Sequence, residues 1–194
     1  FMSDKFQLLL KQIRFPEEHD AFKEIKDGSI ETVKLFKSKR LWFFVFSFRS
    51  VLSYESFVLF DSLLHSSFNS LGAKASFEIR LLSTSCDDSL LGDYFSYALD
   101  NLKVSHFSIY SLFSNLKVEI SNNSICVKAP AHIIKENLQD RFISLISKSL
   151  SQVGLSDVSI SVLEDKEASS SIEEAYETNK VSLQEQAESQ ARQA

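Results

Sequence analysis

The sequence predicts an α+β fold of two tandem small modules, each running helix, helix, strand, strand, helix, strand, with a three-stranded sheet covered by helices. Three observations lead to it. Two segments, 29–82 and 115–163, carry the same apolar pattern: Trp42 and Phe44 precede Ile125 and Val127 by 83 positions, Phe60, Leu63, Leu64 and Phe68 precede Phe142, Leu145, Ile146 and Leu150 by 82, and Phe77, Ile79 and Leu81 precede Val158, Ile160 and Val162 by 81. In each segment a long helical pattern ends at a glycine, Gly72 or Gly154, in the position where chains turn left-handed. Seventeen Phe in 194 residues suit two little cores, because each ring supplies a large apolar area. The expected boundaries are 2–83 for the first module, 84–163 for the second and 164–194 for an acidic, Glu- and Gln-rich linker or helix.

The elements follow in order. Ser3 is placed to cap a helix whose apolar residues Phe6, Leu9, Leu10 and Ile13 share a face. Pro16 suits the first turn of a second short helix, with Glu17 and Glu18 near its positive end and Gly28 closing it. Residues 30–36 alternate as a strand, 37–40 turn, and 41–48 form a second strand. Ser53 caps a helix over 54–71, and 75–82 is the third strand. In the second half Ser85 caps a helix over 87–102 with Asp88 at the capping-box position, and a short helix covers 107–113. The hairpin 117–120 and 124–128 turns at Asn122-Asn123, Pro130 opens a helix reaching Val153, and 158–163 is the last strand. Past Glu164 a thin stripe of Ile172, Ala175, Tyr176, Asn179 and Leu183 has too little apolar area to belong to a core.

Charge narrows the function classes. The net charge of −5 comes entirely from the tail, since the body before Glu164 carries 18 basic and 18 acidic groups. A neutral body argues against a dominant phosphate-backbone interaction. The longest apolar run, Leu41 to Phe46, is far too short for a bilayer, and no secretory signal is visible, with Met2-Ser3-Asp4 reading as a natural start. Two cysteines without metal-like spacing, Cys86 and Cys126, suit a reducing cytoplasm.

Catalytic chemistry finds no pattern. The four histidines, 19, 65, 106 and 132, fall in different elements without ligand spacing. Asp87 and Asp88 point apart on a helix and read as first-turn dipole charges. Glycine at only four positions leaves no phosphate-cradling loop. No catalytic residue, metal or cofactor is expected. The plan resembles single-stranded nucleic-acid modules of the KH type (type II), but neither half has their Gly-x-x-Gly clamp.

One strand breaks the pattern. Trp42, Phe44, Phe46 and Phe48 form one face, and the opposite face carries Leu41, Phe43 and Val45, joined from the neighbouring strand by Phe36. The equivalent positions of the second half are Ser124, Cys126 and Lys128. A sheet covered on one side should be polar on the other, so this apolar outer face needs a cover. Phe36, Leu41, Phe43 and Val45, rimmed by Lys37, Lys39 and Arg40, are therefore the candidate partner-binding residues, with Trp42, Phe44, Phe60, Leu64, Ile125, Val127, Phe142 and Ile146 as candidate core.

The opening Phe6-Gln7-Leu8-Leu9-Leu10-Lys11-Gln12-Ile13, the Lys37-to-Phe48 stretch with its alternating Trp42, Phe44, Phe46 and Phe48, and the helix ending in Ser67-Phe68 together resemble the N-terminal region of PolC-type DNA polymerase III alpha subunits of low-GC Gram-positive bacteria. The resemblance implies a non-catalytic part of a replicative polymerase whose parent carries polymerase and proofreading exonuclease activity. It further implies tethering to the tau subunit of the clamp loader, among other replisome proteins. A single-stranded nucleic-acid-binding adaptor using the basic hairpin is the alternative; direct nucleic-acid contact is not the leading expectation.

Overall fold

The computed structural model describes the backbone of residues 2–193 and the side chains of residues 4–167 and 181–192. The chain runs α1 (Met2–Gln12), α2 (Asp20–Ile25), β1 (Ser29–Phe36), β2 (Leu41–Phe48), α3 (Tyr54–Ser70) and β3 (Lys74–Leu81). It continues with α4 (Asp88–Ser105), α5 (Phe107–Phe113), β4 (Lys117–Ser121), β5 (Ser124–Ala129), α6 (Ala131–Lys135), α7 (Gln139–Gln152), β6 (Ser159–Glu164) and α8 (Lys166–Gln193). The class is α+β, as the residue pattern predicts.

The strands form two separate three-stranded sheets, ordered β1-β2-β3 and β4-β5-β6. In both, the first pair is antiparallel and the second parallel, because a hairpin joins the first two strands and a helical crossover leads to the third. The crossover helices bury matching rows: Phe60, Leu64 and Phe68 on α3, Phe142, Ile146 and Leu150 on α7. Both end in the same cap. Ala73 N–H donates to Phe68 O at 3.0 Å and Leu155 N–H to Leu150 O at 2.8 Å, across Gly72 at φ +71° and Gly154 at φ +91°.

Four expectations need correction. The second helix begins at Asp20, not at Pro16, whose carbonyl instead accepts the His19 N–H at 3.2 Å in a turn. His19 then caps the helix, Nδ1 accepting the Ala21 N–H at 3.0 Å. The cap of α4 is Asp87, whose carboxylate accepts the Leu90 N–H at 2.7 Å; Ser85 lies too early and Asp88 is already helical. The segment from Pro130 to Val153 is two helices, because Asn137 turns left-handed at φ +58° between them. Finally, the third-strand match at 81 positions is out of register. Leu41 pairs with Lys74 but Ser124 with Ser159, separations of 33 and 35. The longer connection after Gly154 sets Ile160 against Ala75 instead of Ile79. That slip of four residues preserves the inward-outward alternation, so pattern alone cannot detect it.

The buried residues of both halves form one connected cluster. Tyr94 of α4 donates its hydroxyl to Leu52 O at 2.7 Å, and a Cβ at Gly154 would lie 2.6 Å from Leu81 Cγ, so α7 ends against the first sheet. Phe44, Phe60, Leu64, Ile125, Val127, Phe142 and Ile146 are buried, but Trp42 is only half-buried. It stacks on Phe44 with centroids 6.5 Å apart, at the open end of the sheet. In α8 the described side chains, Leu183 among them, are exposed; Ile172, Ala175, Tyr176 and Asn179, like the proposed Ser3 cap, lie outside the described side chains.

Candidate protein-interaction site

The first hairpin brings the predicted partner-binding residues together. Its register pairs Phe36 with Leu41, Lys34 with Phe43 and Thr32 with Val45, all on the face opposite the core. A 3-10 turn at Lys37–Lys39 and Arg40 at φ +49° close the hairpin and gather three exposed cations at that end. Phe36 is 46% exposed, Leu41 and Phe43 are half-buried, and none of the three packs against the central cluster. Val45 is buried between its sheet neighbours Thr32 and Glu78 and offers no contact surface of its own. Beside it Arg80 of β3 donates to Glu31 of β1 at 2.8 Å, an ion pair that spans β2 and covers this end of the face. The apolar part of the outer face left open to solvent is thus Phe36, Leu41 and Phe43.

The core side of the same hairpin holds a surface that sequence reasoning missed. Between α1 and the last turn of α3 the helical cover parts, leaving a groove of about 540 Å³ floored by Val33, Trp42 and Phe44 and walled by Leu8, Leu9, Phe68 and Leu71. Leu8 is 65% exposed and Leu71 69%. The available signal was Leu8, which stands off the buried stripe of α1, together with a large ring at position 42 where the second half carries Ile125.

The titratable groups whose pKa is clearly shifted are Tyr54, His65, Cys86, Tyr94 and Tyr97 among the described residues. Among the described residues no cluster of three or more His, Cys, Asp or Glu is arranged to hold a metal ion. Burial, reinforced by Asp87 and Asp88, pushes the Cys86 thiol up to about 11, away from the reactive thiolate. Burial likewise raises the Tyr94 hydroxyl, which is committed to Leu52 O. His65, partly buried on α3, is raised chiefly by its side-chain hydrogen bond to Asp61, whose Oδ1 lies 3.0 Å from Nδ1.

Residues 93–194 match the family model described as DNA polymerase III polC-type N-terminus II, and residues 5–79 match DNA polymerase III polC-type N-terminus I. The chain belongs to the polC-type N-terminal family. All of it aligns with a DNA polymerase III PolC-type of Streptococcus thermophilus strain LMD-9, 76% identical over 193 residues. The protein of the same name from Streptococcus agalactiae is 29% identical over 193 residues, and that from Streptococcus pneumoniae 27% over 175 residues, 90% of this chain. The chain spans only 13% of the first of these relatives and 12% of the last, so it corresponds to the N-terminal region of a DNA polymerase and not to its catalytic domains. No solved structure matches. No described helix is long and apolar enough to cross a membrane.

Proposed function

We propose that this region is a non-catalytic, cytoplasmic protein-interaction part of a PolC-type replicase, tethering the polymerase to the tau subunit of the clamp loader during chromosomal replication. In this reading the chain divides at 2–83, 84–163 and 164–194, each of the first two being a KH-like module without the Gly-x-x-Gly loop. The supporting observation is the asymmetry between the sheets: Phe36, Leu41 and Phe43 stand on a solvent-side face whose counterpart carries Ser124, Cys126 and Lys128. Aromatic anchors inside a charged rim are the usual anatomy of a binding hot spot. Lys37, Lys39 and Arg40 supply the rim and would steer an acidic partner.

The test is tau binding to the chain and to Phe36→Ser and Phe43→Ser. Each change should weaken binding by roughly thirtyfold, a loss of about 2 kcal/mol, with the melting temperature held to within a few degrees. Unchanged affinity in both variants removes this face from the interface. A steep salt dependence of oligonucleotide binding, lost in Lys37→Glu with Lys39→Glu, would instead favour the adaptor reading.

A further inference from the structure

We propose that the groove between α1 and the end of α3 receives a second partner segment: an amphipathic helix with apolar anchors on one face and Asp or Glu at its flanks. The proposal concerns the face opposite Phe36 and Phe43 and shares with the tau reading only Arg40, at the end of the hairpin.

The groove is built for apolar side chains. Its floor and walls are aliphatic and aromatic, and its only polar lining groups are Lys5, Gln12 and Ser67. About 540 Å³ is room for a few large side chains, the anchors that one or two helical turns present at i, i+3 and i+4. The opening lies in the helix layer, where α1 and α3 part above β1 and β2, so a third helix completes that layer as a strand would not. Leaving Leu8 and Leu71 mostly bare to water, with Val33 partly so, has no purpose in the isolated fold.

The surrounding charge selects the flanks. Lys5 stands in the lining itself. The Arg40 guanidinium lies against the Gly72 turn that ends α3, its Nη1 3.8 Å from where a Cβ would be. The groove has no carboxylate in its lining, and Lys5 and Arg40 form no ion pair among the described residues. An acidic flank meets these two cations; a basic one meets like charge. A nucleic acid fits less well, because its phosphates would face an aliphatic wall. The chain's own acidic tail is the obvious competitor, but its described side chains, Val181 and Leu183 included, are exposed.

The experiment follows methyl resonances of the full chain during titration with a synthetic helix of about sixteen residues, leucines at i, i+3, i+4 and i+7 and glutamates at both ends, against the same peptide flanked by lysines. The expected result is shifts at Leu8, Val33 and Leu71, and binding by the lysine peptide weaker by at least ~10-fold. Leu71→Asp and Lys5→Glu, both at exposed positions where folding should tolerate them, should each weaken the glutamate peptide by about tenfold, while Phe43→Ser leaves it unchanged. Absent binding, equal affinity for the two peptides, or shifts confined to Phe36 and Leu41 overturns the proposal. Shifts at the groove methyls on simply deleting residues 166–194 would overturn it too, by making the tail the occupant.

Discussion

Phe142 and Trp42 lie in comparable sequence patterns yet differ in what they hold. Phe142 is wholly buried and stacks face to face on Phe113, centroids 4.1 Å apart. Phe142→Ala should cost roughly 3–5 kcal/mol, read as the shift of a urea midpoint; wild-type-like unfolding would contradict that burial. Trp42 keeps one side in the groove, so Trp42→Ala should cost only about 1–2 kcal/mol. His65 gives a pH signature. Its hydrogen bond to Asp61 raises its pKa above the ordinary 6.5, outweighing the opposing effect of burial. A group whose folded pKa is raised contributes stability in full below its unfolded value and loses it as pH climbs through the folded one. Stability should therefore step down from mildly acidic to mildly alkaline pH, modestly because the site is half-open to solvent, and His65→Gln should flatten that step in a pH series of melts.

At the scale of elements, the caps decide where helices start and what they join. Glu24 of α2 accepts hydrogen bonds from the Ser53 hydroxyl at 2.8 Å and the Ser56 hydroxyl at 2.7 Å, and also from the Ser53 N–H, tying α2 to the N-terminus of α3. Glu24→Ala leaves buried Ser56 without that partner and should destabilise the chain by about 1–2 kcal/mol in chemical denaturation. Ser53 was legible as a cap because a Ser precedes the first apolar-periodic residue. Glu24 was not, since its partners lie 29 and 32 positions away. The break at Asn137 was equally hidden, because Asn adopts both helical and left-handed conformations and only packing chooses between them.

Over the whole molecule, one connected core joins the two halves. Thermal unfolding should consequently be a single cooperative transition by circular dichroism and calorimetry alike. Gly154→Ala tests the junction. The added methyl meets Leu81 Cγ at 2.6 Å while the backbone holds φ +91°, so the variant should lose more than ~1 kcal/mol and lower that one transition without splitting it. Deleting residues 166–194 should leave the melting temperature nearly unchanged, because the described side chains of α8 from 181 to 192 are all exposed. A large drop would show that the tail docks on the body.

The α+β class, the two β-β-α-β runs, the buried rows of α3 and α7 and the caps at Ser53, Gly72 and Gly154 all follow from the sequence, because each rests on periodicity or on a residue's own backbone preference. So does the apolar outer face at Phe36, Leu41 and Phe43, where alternation within a single strand assigns the side. Tertiary structure alone decided the register of the third strands, the burial of Val45, the half-open seat of Trp42 and the groove beside it. Those depend on the length of a distant connection and on how far α1 and α3 cover the sheet. Distances between elements far apart in the chain leave no mark on local pattern.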